Sequence, residues 1–155
     1  MSFSATPNQA DFVTFLQNVV GISPVYLPST SPIIGYAYTT ALSIVNLTLG
    51  TAFAGNLYAL ALYNLGADLV INYAQDQVVG GVAYTFFTDL RQAFGIAVFV
   101  PGVIASSGNS PTSQSTLNPE FMKNLTLGDL GTPKTPYGRT YLNYAQQQGT
   151  IWGVS

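Results

Sequence analysis

Few side chains in this sequence are suited to acid–base or metal chemistry. The chain has six carboxylates and no histidine or cysteine, so the commonest general base, the commonest metal ligand and every thiolate are missing. Asp68 and Asp76 lie two helical turns apart and can share a helix face. No third group accompanies them, so two solvated carboxylates on a polar stripe are the simpler interpretation. We expect no enzyme and no catalytic, cofactor or metal site.

The most distinctive pattern follows residue 133. Thr135 and Pro136 are typical of a helix N-cap and first helical position, and glycine at 138 lets another backbone approach closely. An arginine guanidinium suits a planar, two-bond contact with a carboxylate. We predict contacts with a partner chain at Tyr137, Gly138, Arg139, Tyr141 and Trp152. In the alternative interpretation the sole tryptophan folds back on its own domain, and the sequence leaves both open.

The elements that position these residues are mostly helices. Apolar residues recur at helical spacing in five segments, about 7–20, 33–49, 56–76, 82–94 and 136–149. Thr6 is the predicted N-cap of the first helix, with Pro7 at its first position. A strand over 82–87 remains an alternative, and 82–105 as a whole is not assigned to helix or strand.

The stretch after the fourth helix is predicted to be irregular. Residues 97–100 and 102–105 flank Pro101 and are typical of a short strand pair or an arm, and 106–118 is an uncharged loop. The predicted fold is mainly α: a small bundle of four to five helices with an extended arm or β-hairpin and a C-terminal tail. We expect a helical core domain over 1–135, irregular at about 95–134, and a C-terminal helix and docking tail over 136–155.

Charge is unusually scarce. Only 6% of residues are charged, against about a quarter in ordinary soluble domains, and none lies between Phe12 and Ala67. An uncharged surface is easily desolvated, so the chain is expected to pack against copies of itself or other chains. Four basic residues are too few for a phosphate-binding surface. The apolar windows at 33–49, 57–73 and 94–105 are too polar or too short for a membrane span.

The order of these patterns resembles the small head–tail connector proteins of tailed bacteriophages, also called adaptor or head-completion proteins. The matching pieces are Phe12-x-x-Phe15-Leu16, the proline-rich connector at 22–32, Leu57-Tyr58-Ala59-Leu60-Ala61-Leu62, Phe121 to Thr126, Thr135-Pro136-Tyr137-Gly138-Arg139-x-Tyr141-Leu142, and Gly149-Thr150-Ile151-Trp152-Gly153. Together they cover nearly the whole chain, and the closing motif is the most specific.

The resemblance implies a structural protein of the virion neck, present in the host cytoplasm before assembly. Members form rings, commonly twelvefold, that join the portal protein to a tail or stopper protein and continue the channel for double-stranded DNA without binding it specifically. Their C-terminal segment typically docks on the portal. The alternatives are another virion component, such as a decoration or minor tail protein, and a small membrane-associated protein.

Overall fold

A computed structural model describes residues 4, 6–47, 49, 57–79, 81–96, 103–104, 116–117 and 133–146. This part of the chain is mainly helical, as the sequence predicts. Its helices are α1 (Gln9–Asn18), α2 (Pro32–Ile44), α3 (Leu57–Tyr73), α4 (Phe86–Ala93) and α5 (Pro136–Gln146). Its strands are β1 (Val78–Val79), β2 (Val82–Ala83), β3 (Val103–Ile104) and β4 (Thr116–Leu117).

The chain divides into two compact units. The first comprises 1–96 and 133–155, and the second comprises 97–132. The first unit holds all five described helices and the β1–β2 hairpin, in which Val78 pairs with Ala83 and Val79 with Val82. The helix at 136–146, which the sequence analysis placed in a separate docking segment, therefore belongs to the same unit as α1 to α4.

Helix α3 is the centre of the first unit. It is buried along most of its length, and α1, α2, α4 and α5 all pack against it, with α2 and α5 making the most extensive contacts. A helix surrounded in this way must be apolar on nearly all sides. Small residues at 59, 61, 66 and 67 allow its neighbours to approach closely.

The contact between α1 and α3 is fixed by aromatic rings and one glycine. The ring of Phe12 lies so close to Gly66 that a Cβ there would be 2.7 Å from the ring. Phe12 also stacks on Tyr63, with ring centroids 5.9 Å apart. The Tyr63 hydroxyl accepts a hydrogen bond from the backbone N–H of Asn8 (3.1 Å) and donates to its carbonyl (3.3 Å). These two hydrogen bonds therefore fix the N-terminus of α1 to the central helix.

Several predicted boundaries differ from the structure. The N-cap of α1 is Asn8, whose side chain accepts from the Asp11 N–H, and not Thr6. Helix α2 ends at Ile44 and not near residue 49, because Val45 is extended, and the Ile44 side chain is 53% exposed. Helix α3 ends at Tyr73 and not near residue 76. The segment at 82–94 contains both predicted alternatives, a strand and then a helix.

The second unit contains one antiparallel pair among its described residues. Val103 of β3 pairs with Leu117 of β4, and Ile104 pairs with Thr116. The strand partner of 103–104 thus lies inside the segment predicted as loop. The predicted pairing with 97–100 falls outside the described residues.

Candidate functional site

The closing motif begins α5 and anchors it to α3. Thr135 is fully buried, and its Oγ1 accepts a hydrogen bond from the Gly138 N–H at 2.9 Å, which is the predicted N-cap contact. The same hydroxyl donates to Asp68 Oδ1 at 2.5 Å. One hydroxyl group therefore caps α5 and binds a carboxylate on the central helix.

Gly138 permits a close approach, but the groups that approach it are side chains of the same chain and not another backbone. A Cβ at this position would lie 2.6 Å from Asp68 Oδ1 and would collide with the ring of Pro133. Only glycine lets the first turn of α5 reach α3 at this distance. The predicted partner residue Gly138 is therefore buried in the protein's own core.

The other predicted partner residues differ in exposure. Tyr137 and Tyr141 are half-buried against the core, and burial raises the pKa of both phenols. Arg139 is exposed, and its Nη2 donates to the Lys134 carbonyl at 2.7 Å. Trp152 lies outside the described residues. Among the described members of the set, Arg139 thus offers the most accessible side chain.

Asp68 is not the solvated carboxylate that the sequence indicated. It is only 7% exposed. Burial raises its pKa, because the charged form loses water, while the hydrogen bonds from Thr135 and Asn72 partly oppose that rise. Sequence reasoning missed this site because Thr135, its hydrogen-bond partner, lies far away in the sequence.

Asp76 has a different structural role. It lies beyond the end of α3 and accepts hydrogen bonds from the backbone N–H groups of Phe87 (2.7 Å) and Thr88 (3.2 Å) and from the Thr88 hydroxyl. Its burial raises the pKa, but these bonds and the charge of Arg91 outweigh that effect, so the pKa is lowered. Asp68 and Asp76 therefore serve separate contacts and do not form a carboxylate pair.

A groove of about 470 Å³ lies where α2 begins and α3 ends. Tyr36 and Tyr73 stand on its rim, edge to face with ring centroids 6.4 Å apart, and they are 53% and 61% exposed. Leu27 and Ile33 add apolar surface, and Gln75 and Gln77 add amide groups. We call this feature the tyrosine groove. The sequence analysis did not find it, because its walls come from two stretches, 27–36 and 73–77, that are far apart in the sequence.

Other kinds of site were sought in the same residues. In the described ranges, no three His, Cys, Asp or Glu side chains are grouped as ligands of a metal ion. No helix in that part of the chain is long and apolar enough to span a membrane.

Comparison with known proteins adds no assignment. No protein-family model, no curated protein and no solved structure matches this chain. The resemblance to phage connector proteins therefore rests on the sequence patterns given above.

Proposed function

We propose that this protein is a structural subunit of a phage neck, forming an oligomeric ring that joins the portal protein to the tail or stopper protein. The observation that carries the proposal is the absence of charge from Phe12 to Ala67, a segment that supplies most of α1, all of α2 and most of α3. A chain whose helices present so few ions is suited to burial against other chains.

The exposed side of α2 supports this proposal. Leu42 is 44% exposed, and just after the helix Leu47 is 71% exposed. The hydroxyls of Thr39 and Ser43 donate to carbonyls of their own helix, at 2.8 Å to Gly35 and 2.7 Å to Thr40. A neighbouring subunit can therefore cover this surface without leaving those donors unpaired.

The described cations suit a channel that lets DNA slide. Arg91 donates to the carbonyls of Ile71 and Ala74 at the end of α3. Lys134 Nζ donates to the Gly95 carbonyl at 3.3 Å, and Arg139 donates to Lys134. These bonds leave each cation charged, but three such groups are too few to neutralise many phosphates at once. Lys123 is outside the described residues.

The finer features of the proposal come from the resemblance. They are a ring that is commonly twelvefold, an arm within the irregular region at about 95–134, docking of the C-terminal tail on the portal, and a location at the head–tail interface after assembly in the host cytoplasm. They are expectations for this chain, and the helical bundle is compatible with them.

Negative-stain images of the purified protein, with its mass from light scattering, test the proposal. A ring with a central hole, which binds isolated portal rings in co-sedimentation, is the expected result. A protein that coats capsids or joins tail fibres without forming rings would instead identify another virion component. A protein that stays in solution only with detergent would favour the membrane alternative.

A further inference from the structure

Four exposed apolar side chains of the first unit belong to the tyrosine groove and to the hairpin that follows it. Tyr36 and Tyr73 border the tyrosine groove, and the β1–β2 hairpin that follows α3 exposes Val78 and Val82 by 69% and 57%. The Tyr84 N–H donates to the Gln77 carbonyl at 3.1 Å, which holds the base of the hairpin beside the groove. The hairpin therefore begins directly beside the groove, and both expose apolar side chains.

The groove carries no unneutralised charge. Asp76 is its only ionisable acid or base other than the tyrosines, and that carboxylate already accepts the N–H groups that open α4 and lies near Arg91. A charged occupant would lose hydration without gaining an opposite charge. An uncharged segment with large apolar side chains fits the apolar walls better. If that segment is extended, the amides of Gln75 and Gln77 can form hydrogen bonds with its backbone.

We infer that segment 147–155 of a second copy of this chain occupies the tyrosine groove, so that the tail contacts a neighbouring subunit instead of docking on the portal as the resemblance implies. The segment reads Gln-Gln-Gly-Thr-Ile-Trp-Gly-Val-Ser, so it has no charged side chain and carries Ile151, Trp152 and Val154. Nine extended residues span about 30 Å, enough to leave α5 and reach a neighbouring subunit. Indole rings pack well against tyrosine edges in apolar pockets.

The symmetry of a ring favours a second copy over the same chain as the source of the segment. Subunits of a ring meet head to tail, so each interface joins two different surfaces. A segment in a groove is such a contact, and it repeats around the ring until the ring closes. This part of the inference rests on the proposed function.

The sequence contains no cysteine, so any disulfide in a cross-linking test must join cysteines that were introduced. Ser31, which lines the groove, is replaced in one protein (Ser31→Cys) and Val154 in another (Val154→Cys), and one of the two carries a size tag. Mild oxidation of the mixture is expected to give the mixed disulfide dimer. In the control mixture, the Val154→Cys protein is combined with Asn18→Cys, whose cysteine is exposed and outside the groove. This mixture is expected to give little mixed disulfide dimer.

The sole tryptophan provides a second readout. Its fluorescence should shift to the blue as concentration rises, and Tyr36→Ser with Tyr73→Ser should abolish this shift. The same double variant, or Trp152→Ala, should weaken self-association about thirtyfold in sedimentation equilibrium. Gln92→Ser is the control, because Gln92 is exposed on α4 and lies outside both the groove and the uncharged segment.

The outcomes separate this inference from the proposed function. A third protein carries both Ser31→Cys and Val154→Cys. If its disulfide forms only within one chain, or if the mixture gives no disulfide, the inference is overturned. Normal rings of Trp152→Ala in negative stain also overturn it, although the neck-ring proposal would then stand. Mixed disulfide dimers from a protein that forms no ring uphold the groove contact and overturn the ring.

Discussion

Asp76 and Arg91 cap each other's helices. Asp76 follows α3 and accepts the N–H groups of the first turn of α4, while Arg91 on α4 donates to the carbonyls of Ile71 and Ala74 at the end of α3. Helix ends leave such groups without partners inside the helix. The two residues therefore make the junction between α3 and α4 a single polar unit.

We predict that Asp76→Ala destabilises the protein. The substitution leaves the N–H groups of Phe87 and Thr88 without their carboxylate acceptor, and loss of a helix cap costs about 1–2 kcal/mol. Urea unfolding followed by circular dichroism measures the change at pH 7. Asp89→Asn is the control: this exposed carboxylate bonds to the nearby Thr85 hydroxyl, so its loss should cost less than about 0.5 kcal/mol.

The effect of Asp76→Ala should depend on pH. Because the folded protein lowers the pKa of Asp76, the carboxylate stabilises the fold above its unfolded pKa of about 3.9. That contribution is lost as the pH falls through the lower folded pKa. The difference between wild type and variant should therefore shrink below about pH 4. If the stability difference between wild type and Asp76→Ala stayed constant down to pH 2, the ionised carboxylate would not be the group that stabilises this junction.

Asp68 should show the opposite pH dependence. Because burial raises its pKa in the folded protein, Asp68 favours folding most when it is protonated in both states. This contribution is present below about pH 3.9 and is lost as the pH rises through the raised folded pKa. In urea titrations from pH 3 to pH 8, wild type should therefore lose stability relative to Asp68→Asn as the pH rises. The reverse trend would show that the buried carboxylate is favoured when charged.

Replacing two glycines by alanine should change the stability of the protein in opposite directions. Gly138→Ala puts a methyl group against Asp68 and Pro133, and such overpacking costs about 1–3 kcal/mol. Gly35→Ala in α2 meets no atom within 4 Å and should stabilise the helix by about 0.5–1 kcal/mol. Thermal melts of both variants make the comparison. Equal stability of Gly138→Ala and wild type would mean that α5 does not need the close approach.

A charge on α2 should prevent assembly without unfolding the subunit. Ser43→Lys and Thr40→Lys place an ammonium group on the neutral surface proposed for subunit contacts, and an unpaired buried charge costs about 3–5 kcal/mol. The isolated subunits should keep their helical content, while ring formation should fail. Gln92→Lys on the exposed side of α4 is the control. Normal rings from both α2 variants would refute the role of this surface.

Much of the helical framework can be predicted from local patterns. Helices α1, α2, α3 and α5 follow apolar residues at helical spacing, and Pro136 starts α5 where the Thr-Pro pair indicates. The structure differs where a tertiary contact decides. Helix α3 ends at Tyr73, and Arg91 binds the carbonyls of its last residues.

The candidate sites were less predictable because they depend on residues far apart in the sequence. Asp68 is a polar residue at helical spacing, and nothing near it indicates that Thr135 will bury it. The tyrosine groove likewise needs both the start of α2 and the end of α3. Periodicity describes one helix at a time and carries no information about which other segment covers it.

The bond between Thr135 and Asp68 also sets an order for the folding of a newly made chain. Synthesis runs from the N-terminus, so α3 leaves the ribosome long before α5, with the whole second unit made in between. Until α5 arrives, the face of α3 that it will cover stays in water and Asp68 stays hydrated. The central helix is therefore covered only after the second unit has been made, and a chain released before residue 135 cannot close its core.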